Sequence, residues 1–407
     1  MLLLVGVSVG IAGVAMAALW ERFDGFVGFF FQELSLQEQV ALLALLFALM
    51  LAWMGILMNV TGTTTDSSSG SKGNEQQHRQ QSKKKKSIAY PFHDMNQALS
   101  DRNKFACLYP WLRDSILTVM KQDNELADRH VQDYLTRMMD YTIQGGKYNR
   151  GTTVVATYRA ILKRALTPLE IAQAATLGWT IELLQAFFLV ADDVMDESDS
   201  RRGQPCWYQV DDVQMAAIND AFLLESFLFT IVKQHFSHMT CYTQILELLL
   251  DVIQKTELGQ LLDLQSQEPN KEGDDPLSHF TPERYRLIVR YKTAFYSFYL
   301  PIALAMSLAG ITDEGSYRVA KEICGTMGEY FQVQDDVLDC YGDPRRGGEM
   351  GSDIQDKKCT WLIVQALQNA SKEQKRILKE NYGNANDEES TELVKQVYRD
   401  LALDKVF

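Results

Sequence analysis

The chain has 407 residues, of which 46% are apolar, and a net charge of −13, which together fit one large globular domain with room for additional segments. The acidic charge argues against a nucleic-acid partner, because the field around the protein would repel a phosphate backbone. Six cysteines are scattered with no Cys-x-x-Cys pair, a pattern typical of reduced thiols facing the cytosol and unlike a zinc site or a disulfide framework.

Residues 1–60 are predicted to form a hydrophobic membrane region with two candidate spans. Residues 2–20 carry no charge, and residues 40–60 are rich in Leu, Ala and Met; both approach the ~20 residues that cross a bilayer. The second stretch is the stronger candidate, whereas the first fits either a span or a processed leader. We therefore expect either a membrane hairpin with both ends in the cytosol or a single span preceded by a leader.

Residues 61–86 are dominated by Thr, Ser, Gly, Asn and Gln, and they end in the four lysines 83–86. So polar a stretch cannot bury enough apolar surface to fold, which indicates a flexible linker. Lysines close to a span favour the cytoplasmic side of the membrane. We expect a membrane protein, in the endoplasmic reticulum, whose remaining domain faces the cytosol.

Residues 87–407 show helical patterns almost throughout. Thr167, with Pro168 and Glu170 after it, has the sequence of a capping box, and the helix that it begins is predicted to run to about Glu197. Thr281 begins a second long helix, which Pro301 is expected to kink. Because no strand or hairpin pattern of similar strength occurs, the prediction is one large all-α domain.

Two aspartate clusters with the same spacing each follow a long apolar helical stretch. Aspartates four residues apart share one face of a helix, where they repel each other unless they jointly bind a hard cation such as Mg²⁺. One such cluster alone is more often a solvated helix end, but two copies predict a pair of metal-binding walls. The clusters are Asp192, Asp193 and Asp196, and Asp335, Asp336 and Asp339.

Basic residues accompany both clusters. Arg201 and Arg202 follow the first cluster directly, while Lys147 and Arg150 lie in a glycine-containing segment ahead of the first long helix. Each pair alone would more often be surface charge. Two acidic walls together with several cations, however, are what a complex of metal and diphosphate requires. Further cations that fit this pattern are Lys292 and Lys358.

These motifs closely resemble those of the farnesyl diphosphate synthases in the trans-prenyltransferase family. The resemblance runs from about Ala89 to the end of the chain and implies a large helical bundle of the isoprenoid synthase type. It also implies a homodimer, three Mg²⁺ ions per site, and condensation of isopentenyl diphosphate with dimethylallyl or geranyl diphosphate. The motifs that carry it are Gly145 to Arg150, Glu182 to Arg202, Tyr291 to Pro301, Phe331 to Asp339 and Gly351 to Trp361.

The resemblance also implies a role for each matching residue. The main Mg²⁺ ligands are expected to be Asp192, Asp196 and Asp335, supported by Asp193, Asp336 and Asp339. The allylic diphosphate is expected to be held by Arg201, Lys292 and Lys358, with Thr293 and Gln332 near the developing carbocation. Isopentenyl diphosphate is expected to bind Lys147, Arg150, Gln185 and Arg202.

Phe187 and Phe188, one helical turn before Asp192, are predicted to form the floor of the substrate cavity. Bulky aromatic side chains there imply a fifteen-carbon product, while ordinary core packing of the same residues remains compatible with that position. The alternatives are a geranylgeranyl or other short-chain synthase, or a catalytically weak membrane-bound binding or heterodimer subunit.

Two features depart from the family pattern. Glu349 replaces a lysine expected near the allylic diphosphate. The sequence also ends at Phe407, ahead of the further helices and basic tail that are usual in the family, so a C-terminally shortened domain is expected. Both departures favour the alternative of a weak binding subunit, whereas the presence of every aspartate favours an enzyme.

Overall fold

The structure is a computed structural model, which describes residues 101–122, 128–267, 275–342, 351–385 and 387–405. These residues all belong to a compact unit, Gln80–Phe407. The predicted spans at 2–20 and 40–60, the linker at 61–86 and the substitution Glu349 lie outside the described residues.

Helices make up most of the described chain. They are α1 (Asp101–Met120), α2 (Arg129–Ile143), α3 (Asn149–Leu162), α4 (Pro168–Met195), α5 (Ala216–Phe236), α6 (Tyr242–Gln267), α7 (Pro282–Ile288), α8 (Leu300–Leu308), α9 (Glu314–Tyr341), α10 (Trp361–Asn369), α11 (Lys372–Asn381) and α12 (Glu388–Asp400). Short 3₁₀ turns occur at Trp207–Gln209 and Leu403–Lys405. The predicted helical domain is thus confirmed for the described residues, apart from one short hairpin.

Helix α4 begins as the sequence predicts. The Thr167 hydroxyl accepts the Glu170 N–H, and the Glu170 carboxylate accepts the Thr167 N–H at 2.8 Å, so both halves of the capping box form. The helix ends at Met195, with Asp196 as its C-cap. In the described part of the chain it alone is long and apolar enough to cross a membrane, but 78% of its most apolar window is buried within the protein. It is placed as a central core helix.

A single continuous helix runs from α7 to α8, but its middle is not α-helical. Thr281 caps its start by accepting the Arg284 N–H. Residues Val289–Tyr299 form a π-helical segment, and at its end the Leu300 N–H donates to the Phe295 carbonyl, five residues back. Pro301 follows directly. Proline lacks an N–H and its ring crowds the carbonyl of the preceding turn, and the helix changes from π to α geometry directly before this residue, where the sequence predicts a kink.

The hairpin joins β1 (Ser200–Arg201) to β2 (Gln204–Pro205) in an antiparallel pair. Its two turn residues, Arg202 and Gly203, both have positive φ angles, of 56° and 75°. Two such residues are what a type I′ turn needs to match the twist of paired strands. Sequence reasoning missed the hairpin because Arg-Gly is a weak form of that signal. The turn points the side chains of the consecutive Arg201 and Arg202 towards different partners.

The packing brings the two aspartate-bearing helices towards a shared centre. Helix α4 packs between α3 and α5, and the π segment packs against both α6 and α9. Gly259 on α6 allows that helix to approach the π segment closely, since a Cβ atom on Gly259 would lie 2.1 Å from the Lys292 backbone nitrogen. The last helices, α10 to α12, close over α7 with a separate apolar core that includes Tyr285, Leu362, Tyr382 and Tyr398.

Candidate active site

The first aspartate cluster meets two lysines that come from distant parts of the chain. Lys292, in the π segment, lies 3.2 Å from an Asp192 carboxylate oxygen. Lys358, just before α10, donates to Asp196 Oδ2 at 2.6 Å. Gln260 on α6 donates to Asp192 Oδ1 at 2.7 Å. Two of the predicted metal ligands, Asp192 and Asp196, are therefore brought together with the two predicted diphosphate-binding lysines.

A buried aspartate, Asp263 on α6, holds these lysines. Its Oδ2 accepts a hydrogen bond from Lys292 at 2.7 Å and lies 3.5 Å from the Lys358 nitrogen. Burial raises the pKa of Asp263, but the two lysines outweigh it and hold that pKa below its ordinary value. Burial lowers the pKa of Lys292, and the carboxylates of Asp263 and Asp192 reverse this and raise it above its ordinary value. Both lysines are thus kept charged.

The three aspartates of the second cluster differ in burial and in hydrogen-bond partners. Asp336 is fully enclosed, and its oxygens accept from the Tyr285 hydroxyl at 2.9 Å, the Trp361 N–H at 2.7 Å and the Gln332 amide at 3.0 Å. Burial raises the pKa of Asp336 to about 7. Because its oxygens already accept these three hydrogen bonds, Asp336 has a structural role in the site. Asp335, by contrast, is exposed.

Asp339, one turn further along α9, is tied to the segment that carries Lys358. It accepts the N–H groups of Ser352 and Asp353 at 3.2 and 3.3 Å. Burial raises its pKa to about 6, although these N–H groups oppose the shift. The second cluster therefore fixes one side of the Lys358 loop.

Thr293 and Gln332, which are predicted to lie near the developing carbocation, are hydrogen-bonded to each other. The Thr293 hydroxyl donates to Gln332 Oε1 at 3.0 Å, and the Gln332 amide donates to both Asp336 and Asp335. Since Thr293 is the neighbour of Lys292, this chain of contacts joins the lysine cluster to the second aspartate cluster.

Arg201 and Arg202 point to different partners. Arg201 forms an ion pair with the buried Asp193 at 2.6 Å. Burial raises the pKa of Asp193, and Arg201 opposes that shift. Arg202 donates to the carbonyl of Gln144 at 2.8 Å and lies against Gly146. Arg202 thus supports the glycine-containing segment in which Lys147 lies.

Four residues are predicted to bind isopentenyl diphosphate, and Arg202 contacts the segment that carries Lys147. Lys147 is exposed, and Gln185 is half-buried on α4. Arg150 donates to the Ser297 hydroxyl at 2.9 Å and the Tyr296 hydroxyl at 3.1 Å, with its guanidinium 4.8 Å from the Tyr296 ring centre. Arg150 is therefore oriented by the same π segment that supplies Lys292.

Phe187 and Phe188 pack together as a pair of aromatic rings. Phe187 is 6% exposed, and the two ring centres are 4.8 Å apart. Phe188 also contacts the Tyr296 ring at 5.6 Å. One turn below Asp192, the pair makes a rigid apolar surface next to the site.

The oxygen donors fit a Mg²⁺ ion. Asp196 Oδ1 is buried and has no hydrogen-bond partner among the described residues, so a buried charged oxygen there lacks the partner that such groups normally have. Within the described ranges, no three His, Cys, Asp or Glu side chains form a ready-made metal cage. Mg²⁺ typically binds one or two carboxylates together with substrate phosphates. Asp192 and Asp196 suit that mode.

Comparison with known proteins gives the same assignment. A model of the polyprenyl synthetase family matches residues 132–401. Farnesyl pyrophosphate synthase of Bos taurus is 47% identical over 289 residues, 70% of this chain and 81% of that protein. The Schizosaccharomyces pombe protein of the same name is 46% identical over 304 residues, 75% of this chain and 86% of that protein. The chain belongs to the polyprenyl synthetase family.

A solved structure of a polyprenyl synthetase family relative shares the fold. It is T. brucei farnesyl diphosphate synthase complexed with a bisphosphonate, with a TM-score of 0.69 and 36% identity, covering 75% of this chain and 88% of that one. The resemblance deduced from the aspartate motifs is confirmed, as is the predominantly helical isoprenoid synthase fold. Members of this family use Mg²⁺.

Sequence reasoning missed two residues of this polyprenyl synthetase site. Asp263 lies near the C-terminal end of α6, between Leu262 and Leu264, and no second acidic residue within one turn marks it as part of a motif. Its signal is the spacing from Gln260, three residues earlier, because residues three apart share a helix face. Tyr285 is the second, since its contact with Asp336 joins residues distant in sequence.

Proposed function

We propose that this protein is a Mg²⁺-dependent prenyltransferase that condenses isopentenyl diphosphate with dimethylallyl or geranyl diphosphate to give farnesyl diphosphate. The observation that carries the proposal is the pairing of Asp192 with Lys292 and of Asp196 with Lys358 around the buried Asp263. It combines acidic oxygens for Mg²⁺ with fixed cations for a diphosphate. The relatives named farnesyl pyrophosphate synthase support the same reaction.

Each group in the site has a part in that reaction. Lys292 and Lys358 bind the allylic diphosphate as fixed charges, while Lys147, Arg150 and Arg202 serve isopentenyl diphosphate. The aspartates would hold Mg²⁺, which would supply positive charge to neutralise the leaving diphosphate. The allylic C1–O bond breaks, the isopentenyl double bond forms the new carbon–carbon bond, and a proton leaves to the released diphosphate.

Positive charge develops on the allylic carbon when that bond breaks. Oxygen atoms held in fixed positions stabilise such charge without the cost of reorientation. Thr293 Oγ1 and Gln332 Oε1, 3.0 Å apart, are two such atoms. We therefore assign them to the carbocation, and we assign the apolar surface of Phe187 and Phe188 to the growing chain.

The test of this function is product analysis. Purified full-length protein is incubated with Mg²⁺, isopentenyl diphosphate and either dimethylallyl or geranyl diphosphate, and the products are separated by chain length. A fifteen-carbon product supports the proposal. A twenty-carbon product would assign the protein to geranylgeranyl synthesis, and Mg²⁺-dependent substrate binding without any product would assign it to a binding subunit.

The metal assignment needs a test of its own. Asp192→Ala and Asp335→Ala are expected to abolish product formation while circular dichroism shows unchanged helix content. Asp251→Ala, on the same domain but in a half-exposed surface ion pair with Lys255, is the control and should leave activity unchanged. Full activity of either cluster variant would remove the metal role.

We propose that residues 1–60 anchor the protein in the endoplasmic reticulum membrane with its synthase domain in the cytosol. Two long apolar stretches followed by a lysine-terminated linker support this proposal. Full-length protein is expected to pellet with membranes and to resist alkaline extraction. Release by alkali would exclude a membrane span, and protease accessibility of the domain in intact vesicles reports its side.

We also propose a homodimer. Met215, Ile218 and Phe222 make a stripe at the start of α5 and are 59%, 44% and 61% exposed. Exposed apolar side chains in such a row are unusual for a monomer. Phe222→Glu is expected to convert a dimer to a monomer in light scattering, with Leu169→Glu, at an exposed leucine outside this stripe, as the control. A monomeric parent protein would contradict the proposal.

A further inference from the structure

The loop that carries Lys358 is held from two sides. On the side of α9, Asp339 accepts the N–H groups at the start of the loop, and Asp336 accepts the N–H of Trp361 at its end. These bonds attach the ends of the loop to the second aspartate cluster, while the Lys358 side chain reaches the first cluster at Asp196. The loop therefore spans the site.

The other side of the loop is held by the residues that connect α11 to α12. The Tyr382 hydroxyl donates to the Lys358 carbonyl at 2.6 Å. The Thr360 N–H donates to the same carbonyl at 3.0 Å. Tyr382 is 4% exposed, and its ring meets the Phe280 ring edge-on, with centres 5.8 Å apart. A buried hydroxyl fixed by its ring thus sets the position of the backbone from which Lys358 extends.

The backbone of this loop adopts an uncommon conformation that needs such support. Lys357 has a φ angle of 54°, in the left-handed region that side chains with a Cβ seldom adopt. Such residues persist only where neighbouring contacts determine their conformation. Gly383 lies directly against Lys357, because a Cβ atom on Gly383 would be 2.8 Å from the Lys357 Cβ, and its N–H donates to the Ile354 carbonyl at 2.9 Å.

We propose that Tyr382 is a positioning residue for the reaction, acting through Lys358 on the allylic diphosphate. The inference rests on the proposed function, in which Lys358 binds that diphosphate. Tyr382 lies on the far side of the loop from Asp196, so it holds the lysine without being part of the metal and diphosphate cluster. The segment that connects α11 to α12 thereby contributes to substrate binding.

The test compares two tyrosine-to-phenylalanine variants of the full-length protein. Tyr382→Phe removes the hydroxyl and keeps the ring, so the KM for geranyl diphosphate is expected to rise about fivefold, the loss typical of one hydrogen bond. The KM for isopentenyl diphosphate should stay within twofold. Tyr341→Phe is the control, because the Tyr341 hydroxyl is buried without a hydrogen-bond partner in the described part of the chain. It should change neither KM.

A double-mutant cycle separates positioning from a general loss of structure. If Tyr382 acts through Lys358, Tyr382→Phe should have no further effect on geranyl diphosphate affinity in a Lys358→Met background. Equal fivefold losses in both backgrounds, or a parallel rise in both KM values, would overturn the proposal.

Amide hydrogen exchange tests the anchor without relying on turnover. In Tyr382→Phe, the amides of residues 351–360 are expected to exchange faster than in the parent protein, while those of α4 are unchanged. Unchanged exchange in the loop would overturn the anchor itself. Failure of the parent protein to make a fifteen-carbon product would instead count against the proposed function, so the two failures are distinguishable.

Discussion

The carboxylate of Asp263 accepts a hydrogen bond from Lys292 at 2.7 Å inside the protein, where the side chain of Asp263 is 6% exposed. A buried carboxylate is costly unless it is paired, and here one carboxylate is paired with two lysines from separate segments. The pairing makes α6, which carries no residue of either aspartate motif, the element that sets the spacing of the cationic groups.

Asp263→Asn is expected to weaken both the site and the fold. Asparagine keeps the shape but removes the charge, leaving Lys292 and Lys358 with one fewer counterion, and breaking a buried ion pair typically costs about 3–5 kcal/mol. Denaturant unfolding should show that loss, and the KM for geranyl diphosphate should rise. Asp251→Asn on the same helix is the control, at a cost of about 0.5 kcal/mol or less. Wild-type stability and KM in Asp263→Asn would show that the lysines need no such partner.

Gly259→Ala is expected to separate α6 from the π segment. The new methyl group would meet the Lys292 backbone nitrogen at 2.1 Å, and overpacking of this kind costs about 1–3 kcal/mol. Because Lys292 shifts with the backbone, kcat should fall as well. Gly325→Ala on α9 is the matched control: nothing lies within 4 Å of its Cβ position, so this change should stabilise by about 0.4–1 kcal/mol. Chemical denaturation together with product assays distinguishes the two variants.

Phe187→Ala and Phe188→Ala are expected to lengthen the product beyond fifteen carbons. Each removes one ring of the pair beside Tyr296 and opens room for a further isoprene unit, and chromatography of the dephosphorylated products measures this. Loss of the buried Phe187 ring also destabilises, by about 3–5 kcal/mol, whereas loss of the half-buried Phe188 ring should cost less. Phe227→Ala, on α5 and 2% exposed, is the control, with a similar loss of stability and an unchanged product. An unchanged product from both site variants would assign the pair to core packing alone.

His235 is expected to contribute a loss of stability as the pH falls from about 6.5 towards 4. Burial, aided by the nearby His238, lowers the pKa of His235 to about 4, so below pH 6.5 the unfolded chain binds a proton that the folded protein does not. The stability that this neutral histidine contributes is present above pH 6.5 and is lost as the pH falls, by roughly 1.4 kcal/mol for each pH unit. The raised pKa values of Asp336 and Asp339 act in the opposite direction, so the test compares variants: from pH 7 to pH 5, His235→Gln should lose less stability, or gain more, than the parent protein.

The exposed His279 gives the control for this measurement. His279→Gln is expected to keep the full dependence of stability on pH. An unchanged dependence in His235→Gln would show that His235 makes no such contribution.

The sequence was sufficient for features whose signals are local. The capping box at Thr167 and the spacing within each aspartate motif are determined by neighbouring residues, and both motifs lie near the C-terminal ends of long helices. Asp263 was not identified, because its role depends on lysines 29 and 95 residues away. The hairpin after the first motif was missed for a different reason, since its turn uses Arg202 in a backbone conformation that asparagine or glycine usually adopts.

The π segment was also beyond local prediction, and it has a consequence for which changes in length the chain tolerates. A π turn makes hydrogen bonds five residues apart, where an α turn uses four. Deletion of one residue beside Lys292 and Thr293 would let that π turn relax to an α turn, and the flanking helices would stay in register because an α turn uses one residue fewer. Within the relaxed turn, however, the side chains of Lys292 and Thr293 would change direction relative to α6 and α9. In this segment the number of residues is therefore as constrained as their identity, and insertions or deletions here are expected to be more damaging than substitutions.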